Sequence, residues 1–239
     1  MKKKVFVFTF LIFSLVSFAQ TTGLSTIEVP RGSRVESTTI VDGVSTHNYS
    51  SKSNIPVNGI PFLKEDFQAG VLELNDGKKS IDVLLRYNIA KDAFEILHKN
   101  DTLRLNRPFA VKYIYLDDKV FVFDPKLRKG VDRKHNGYFE LRVDDKLSLY
   151  IKRWKDLSFD SFVTNYQGGS GTKEYYYVDK IGFIGKNEKG KTFLIKSTKT
   201  LLANIDDHKS ELKSFIKKNK IKIKKESDLI KVVEYYNSL

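Results

Sequence analysis

Apolar and polar residues alternate through the middle of the chain, from about residue 61 to residue 196. The stretches 81–89, 139–143 and 147–151 each place an apolar residue at every second position. A period of two is typical of a β-strand with one buried face. Asp76-Gly77 separates the apolar stretch 71–74 from the stretch 81–89, and this dipeptide favours a tight hairpin turn.

Runs of this kind recur about every ten residues, without a helical pattern between them. Parallel neighbours need long crossover connections, so we expect eight to ten antiparallel strands. The predicted fold class is mainly β (α+β): an antiparallel meander that forms a sandwich or a small open barrel, followed by two or three short helices. An outer-membrane barrel fits less well because its strands would continue to the C-terminus.

The last forty residues change to a helical period. Leu229, Val232, Val233 and Tyr236 follow the spacing of an amphipathic helix, and Ser227 is the expected N-cap. A second helix is expected to begin near Asp207, a third is indicated by the apolar residues of the stretch 201–205, and the stretch 220–224 is expected to be extended. These helices would cover one sheet edge or an open barrel mouth, which would suppress edge-to-edge pairing.

The N-terminus resembles a secretory leader. Lys2, Lys3 and Lys4 precede a mostly apolar run of residues 5–18, and the small residues Ser17 and Ala19 lie two apart before a cleavage point after Ala19. The run is shorter than the ~20 apolar residues of a membrane-spanning helix, so a signal peptide is preferred over an anchor. We expect the mature chain to have no transmembrane segment.

The chain is therefore divided into four predicted parts. They are a signal peptide (1–19), an N-terminal arm rich in Ser, Thr and Asn (20–60), an antiparallel β domain (61–196) and a basic helical C-terminal segment (197–239). Within the arm, the apolar cluster 39–41 has the composition of a short edge strand.

Composition narrows the possible partners. The formal net charge is +13 and there is no cysteine, so a disulfide framework and a thiolate metal site are excluded. An exported protein meets no chromosome, which leaves anionic envelope components or acidic partner proteins as partners and excludes nucleic acid. We expect a periplasmic location, with secretion from the cell as the alternative.

Lysines concentrate near the C-terminus. Seven of the thirteen residues from 213 to 225 are lysine, and none is acidic. This density indicates a surface for a polyanion or an acidic partner, although lysines also keep ordinary helices soluble. The candidate binding residues are Lys213, Lys217, Lys218, Lys220, Lys222, Lys224 and Lys225.

Aromatic residues offer a second candidate site. Tyr113, Tyr115, Trp154 and Tyr175 lie in or beside predicted strands, where they would line a groove for a glycan or a lipid. The alternative is that these rings form cross-strand and core pairs, as aromatic residues commonly do in β proteins.

Reactive chemistry has no sequence signature in this chain. The histidines at 47, 98, 135 and 208 lie far apart and match no metal-binding spacing. Ser170 lies in a glycine-rich stretch without the strand and helix of a nucleophile elbow, so a loop is preferred. We predict no catalytic residue, no metal site and no cofactor.

Several segments resemble a group of small exported proteins of Bacteroidota. The similarity includes residues 59–63, 85–89, 215–220 and 224–230, and extends over most of the chain from about residue 59. The resemblance implies export and a shared fold, and it transfers no activity and no catalytic residue.

Together these features favour a non-enzymatic periplasmic binding or accessory protein that contacts an envelope component or a partner protein, partly through its lysines. One alternative is an envelope glycan or lipid hydrolase with carboxylates or histidine converging in a β groove. Another is a carrier that holds an apolar ligand inside a barrel.

Overall fold

The computed structural model describes residues 38–41, 44–48, 56–128, 137–162 and 172–239. The predicted signal peptide, much of the N-terminal arm, His135 and the loop at Ser170 lie outside these residues. The described parts of the chain contain thirteen strands: β1 (Thr38–Val41), β2 (Val44–Asn48), β3 (Val57–Asn58), β4 (Gln68–Leu74), β5 (Lys79–Asn88), β6 (Ala93–His98), β7 (Asp101–Leu105), β8 (Val111–Leu116), β9 (Lys119–Phe123), β10 (Tyr138–Val143), β11 (Ser148–Phe162), β12 (Thr172–Lys186) and β13 (Thr192–Leu194). Three helices follow: α1 (Thr198–Leu202), α2 (Lys209–Lys218) and α3 (Glu226–Asn237).

All strands belong to one sheet, which confirms the predicted mainly β fold. The order is β1-β2-β7-β6-β5-β4-β8-β9-β10-β11-β12-β13, and each of these neighbours is antiparallel. The short strand β3 pairs in parallel with β12. The strand expected at residues 39–41 is β1, at one edge of the sheet.

The strand predictions were incomplete. Strands β2, β3, β6 and β7 were not predicted; β6 alternates weakly, and the alternation of β7 is confined to a few residues. The apolar stretches 175–178 and 181–184 both belong to one long strand, β12. Strands β11 and β12 make a hairpin of fifteen paired positions.

The sheet curls so that distant strands share a core. Phe94 on β6 and Tyr138 on β10 are separated by four strands in the sheet order, yet their ring centroids are 5.0 Å apart. Tyr87 and Phe121 complete this buried aromatic cluster, with centroid distances to Phe94 of 4.8 and 5.2 Å. Contact across so many strands requires the sheet to bend toward a half-open barrel.

A second core lies between the helices and the end of the sheet. Leu149, Ile151 and Phe183 cover one face of β11 and β12, and they pack with buried residues of α2 and α3. The helices thus pack against the end of the sheet at which β13 is the edge strand, and this packing buries their apolar stripes.

The helix boundaries confirm one local prediction and correct two. Helix α2 begins at Lys209, near Asp207 as expected, and His208 is its N-cap. The N-cap of α3 is Lys225, so Ser227 lies inside the first turn. The stretch 220–224 contains turns instead of an extended segment, and Ile223 within it is buried in the second core.

Candidate functional site

The predicted lysine-rich surface is exposed throughout. Lys213, Lys217 and Lys218 lie on α2, and the other four lysines lie in the connection from α2 to α3. All seven side chains are exposed. We call these seven residues the lysine surface.

Apolar residues between the lysines explain why the cations face solvent. Leu212 and Ile216 are buried on α2, and Ile223 is buried in the connection that follows. Phe215 stacks on Tyr235 of α3, with ring centroids 3.9 Å apart. These apolar side chains pack in the second core, and the lysines between them are therefore exposed to solvent.

Few carboxylates neutralise the lysine surface. Among the residues that the structure describes, Lys225 is the one member in an ion pair, with its Nζ 3.8 Å from Asp228 Oδ1. The other oxygen of Asp228 accepts a hydrogen bond from the backbone N–H of Lys222 at 3.1 Å. Glu226, at the start of α3, is held by Arg153 at 2.6 Å.

The four predicted groove aromatics lie in separate places. Tyr113 and Tyr115 are neighbours on β8, with ring centroids 6.0 Å apart. Tyr175 is on β12, where it contacts Phe159. Trp154 on β11 lines a pocket of about 380 Å³ that none of the other three lines.

Tyr115 is tied to its own sheet by a polar contact. Its hydroxyl donates a hydrogen bond to Glu73 Oε2 at 3.0 Å. Burial and this carboxylate raise the pKa of Tyr115, whereas the hydrogen bond from Lys79 is the largest cause that lowers the pKa of Glu73. These contacts fit cross-strand pairing, the alternative considered for the aromatic residues.

Sequence reasoning missed a larger pocket of about 750 Å³. It lies between the connection from β7 to β8, the end of β9, the 3₁₀ turn Pro125–Arg128 and the start of β10. Arg104, Arg107 and Arg128 line it, and none of its described lining residues is Asp or Glu. We call it the arginine pocket.

The aromatic side of the arginine pocket contains Tyr138. This residue is 3 % exposed, and its hydroxyl has no hydrogen-bond partner among the described residues. Burial is the main cause that raises the pKa of Tyr138; the Asp92 carboxylate also raises it, whereas Arg104 acts in the opposite direction. At neutral pH the phenol is therefore a protonated hydrogen-bond donor.

Sequence signals for this pocket were weak. Arg104 and Arg107 are close along the chain, but Arg128 and Tyr138 come from later segments. Only the curl of the sheet brings β7 and β10 together, and no periodicity encodes that curl.

The described residues offer little for metal or hydrolytic chemistry. They contain no group of three His, Asp or Glu side chains placed to hold a metal ion. The two pockets above have one carboxylate between them in their described linings, that of Asp179. Among the described residues, neither lining thus offers the converging pair of carboxylates that the hydrolase alternative requires.

Comparison with family models, curated proteins and solved structures finds no match to this chain. Among the described helices, none combines the length and apolar character needed to cross a membrane.

Proposed function

We propose that this chain is an exported, non-enzymatic binding protein of the periplasm that contacts anionic phospholipid headgroups of the envelope through the lysine surface. The observation that carries the proposal is the exposure of all seven lysines with a single described ion pair. Each lysine close to an anionic lipid surface contributes about 1 kcal/mol of attraction. Several acting together would hold the protein at such a surface.

The neighbouring acids reinforce this arrangement. Glu226 accepts from Arg153, and that arginine also contacts the buried carboxylate of Glu140 at 3.1 Å. A carboxylate that is already bound to an arginine competes less with an external anion for the lysines. The lysine surface therefore keeps most of its positive field.

Vesicle binding tests the proposal directly. The protein expressed from the complete sequence should bind vesicles of phosphatidylglycerol and phosphatidylcholine, and should bind phosphatidylcholine alone much more weakly. Because the Debye length falls from about 10 Å to about 3 Å between 0.1 M and 1 M salt, binding should decline steeply over that range. Binding that is indifferent to salt would contradict the proposal.

Matched charge variants separate the lysine surface from the overall positive charge. Lys217, Lys218, Lys222 and Lys224 are changed to Gln in one variant. The control variant changes four exposed lysines elsewhere, Lys126, Lys191, Lys196 and Lys199, to Gln. We expect vesicle binding to fall at least tenfold in the first variant and about twofold in the control. Equal losses in both would assign the binding to net charge alone.

Export has its own test. Protein recovered from the periplasmic fraction of its host should begin at Gln20 by intact mass. Intact Met1 on protein from the cytosolic fraction would mean that the protein is not exported, which would contradict the proposed binding to the envelope. If a stable acidic protein partner is captured and the protein does not bind vesicles, the ligand of the lysine surface is that protein and not a lipid.

A further inference from the structure

The hairpin of β11 and β12 extends beyond the sheet that holds its base. Strand β10 pairs with β11 at residues 149–151, and β13 pairs with β12 at residues 184–186. Of the described strands, only the two-residue strand β3 pairs with the hairpin farther out, at residues 175–176. We call the extending part, residues 153–161 and 173–181, the ribbon.

One face of the ribbon exposes large apolar side chains. Leu157 pairs with Tyr177 and Phe159 pairs with Tyr175, so odd-numbered residues of both strands, including Ile181, lie on the same face. Leu157, Phe159 and Ile181 are 55 %, 49 % and 42 % exposed. Exposed apolar residues that cluster in this way mark a surface for a partner or a membrane. We call Leu157, Phe159, Tyr175, Tyr177 and Ile181 the apolar ribbon face.

The opposite face of the ribbon is rich in carboxylates. Asp156, Asp160 and Glu174 lie there, since they are even-numbered, and all three are exposed. Among the described ribbon residues, Lys180 is the one cation on that face. An anionic bilayer would repel the carboxylates, and the apolar ribbon face would be the side that approaches the lipid.

Lys173 adds a positive charge to the apolar side of the ribbon. It is exposed, and its Nζ lies 4.7 Å from the centroid of the Phe159 ring. Closer to the base of the ribbon, Lys155 Nζ lies 2.7 Å from Asp179 Oδ1, so this pair adds no net charge. The side that carries the apolar ribbon face therefore has a surplus of positive charge.

The apolar ribbon face begins close to the lysine surface. It lies on the side of β11 on which Ile151 packs with the helices. On the same side, Arg153 binds Glu226 at 2.6 Å, and Glu226 directly follows Lys225 of the lysine surface. Leu157 lies four residues beyond Arg153, which is roughly 13 Å along a strand.

We propose that the apolar ribbon face inserts into the interfacial layer of the anionic bilayer that the lysine surface binds. The inference rests on the proposed function, because the lysines supply the attraction that brings the ribbon to the membrane. Insertion removes leucine, isoleucine and phenylalanine side chains from water. Tyrosine rings suit the headgroup level, where their hydroxyls stay hydrated. A basic surface beside an apolar one is the chemistry of an interfacial membrane binder.

Charge favours a bilayer over a second copy of the chain as the partner of the apolar ribbon face. The complete sequence has a formal net charge of +13, and the lysine surface is close by. A second copy would bring the same positive charge, whereas an anionic lipid supplies the opposite one.

Fluorescent labels at single positions test the insertion. The chain has no cysteine, so Leu157→Cys can be labelled at one site with nitrobenzoxadiazole, whose emission rises and shifts to the blue in apolar surroundings. Vesicles of phosphatidylglycerol and phosphatidylcholine should cause this change. The control is the same label on Asp156→Cys, at an exposed position of the opposite face, where the emission should remain that of a label in water. If the label at 157 does not respond, or if both labels respond equally, the insertion is wrong.

Vesicle affinity measures what the apolar side chains contribute. Phe159→Ser should weaken binding at least threefold, and the double change Leu157→Ser and Phe159→Ser at least tenfold. The steep salt dependence should remain, because the lysine surface is unchanged. Phe109→Ser is the matched control, since Phe109 is 69 % exposed on the connection from β7 to β8, and it should change the affinity by less than about twofold. An unchanged affinity in the double variant, with its fold verified by circular dichroism, would contradict the insertion.

The insertion and the proposed function fail in different ways. If the Gln variant of the lysine surface loses vesicle binding while the label at 157 of the otherwise unchanged protein stays in water, the proposed function holds and the insertion is wrong. If the label at 157 enters the bilayer and the Gln variant binds as tightly as the unchanged protein, the insertion holds and the proposed function is wrong. Absence of vesicle binding contradicts both.

Sedimentation equilibrium tests the second copy as the alternative partner. The protein expressed from the complete sequence should be a monomer at micromolar concentration without lipid. A dimer that the double change Leu157→Ser and Phe159→Ser dissociates would show that a second copy covers the apolar ribbon face, and the insertion would be wrong.

Discussion

Lys152 Nζ lies 2.6 Å from Asp92 Oδ1, and the two side chains are 1 % and 0 % exposed. Asp92 ends the turn from β5 to β6, whereas Lys152 belongs to β11 on the far side of the curled sheet. The ammonium also donates to the carbonyl of Tyr138 at 2.8 Å. The second Asp92 oxygen accepts from the backbone N–H of Gly137 at 2.8 Å, so the pair connects strands that are not neighbours in the sheet.

Lys152→Met should destabilise the protein strongly. Methionine fills similar space but removes the ammonium of Lys152 from the buried Asp92 carboxylate, and removing one partner of such a pair costs about 3–5 kcal/mol. Urea unfolding followed by fluorescence measures the change in the free energy of unfolding. The double change Lys152→Met and Asp92→Asn should recover part of the loss, because it removes the buried carboxylate charge as well.

The double variant provides the decisive comparison for this pair. If the losses of Lys152→Met and Asp92→Asn simply add, the two groups do not interact energetically. A single variant that is as stable as the unchanged protein would contradict the proposed role of the pair in holding the curl.

The strands were the most predictable part of this fold. Alternation found β5, β10 and the start of β11 because apolar residues occupy every second position in each sequence, although residues 138–140 of β10 and 148–152 of β11 are buried on both faces. Strand β6, with the sequence AFEILH, was not found because its alternation is weak. The local pattern thus failed where the sequence itself lacks a clear period of two.

The polar interior and the arginine pocket were not predictable in the same way. Asp92 and Lys152 are sixty positions apart in the sequence. A short stretch of sequence around either residue predicts that its charged side chain is exposed to solvent. Arg104 and Tyr138 approach one pocket only after five intervening strands have curled. The lysine surface, by contrast, is contiguous in sequence, which is why composition alone located it.

Tyr138→Phe should raise stability at neutral pH. A buried hydroxyl without a partner costs about 1–3 kcal/mol, and phenylalanine removes that hydroxyl while keeping the ring among Phe94 and Phe123. Urea unfolding at neutral pH measures the gain. A variant that is less stable than the unchanged protein would show that the hydroxyl has a stabilising contact in solution.

Alkaline pH gives a second measurement on the same variant. Burial, followed by the Asp92 charge, raises the pKa of Tyr138 in the folded chain, so the unfolded chain loses this proton first. The part of the free energy of unfolding that is linked to the Tyr138 proton is fully present below about pH 10, the usual tyrosine pKa. It is lost as the pH rises above that value. Stability should therefore fall less steeply above about pH 10 in the variant. Some decrease of stability above about pH 10 should remain in the variant, because the pKa values of Tyr87 and Tyr236 are also raised.

Asn237→Ala should loosen the end of α3 from the sheet. The side-chain oxygen of Asn237 accepts from the backbone N–H of Leu147 at 2.9 Å, and its Nδ2 donates to the Leu147 carbonyl at 3.1 Å. Leu147 is fully buried, so alanine would leave two backbone groups without these bonds, at a cost of about 1–3 kcal/mol. Urea unfolding measures this loss, and Glu234→Ala, at an exposed position of the same helix, is the control with an expected change below about 0.5 kcal/mol.

Asn237→Asp distinguishes the paired hydrogen bonds from simple packing. An ionised carboxylate can still accept from the Leu147 N–H, but it cannot donate and would face the Leu147 carbonyl. The protonated form can do both, so the folded chain would favour it and the pKa of the new carboxyl would rise. The penalty relative to the unchanged protein should therefore be large at neutral pH and shrink as the pH falls toward about 4. A penalty that is independent of pH would mean that Asn237 acts through its shape and not through its two hydrogen bonds.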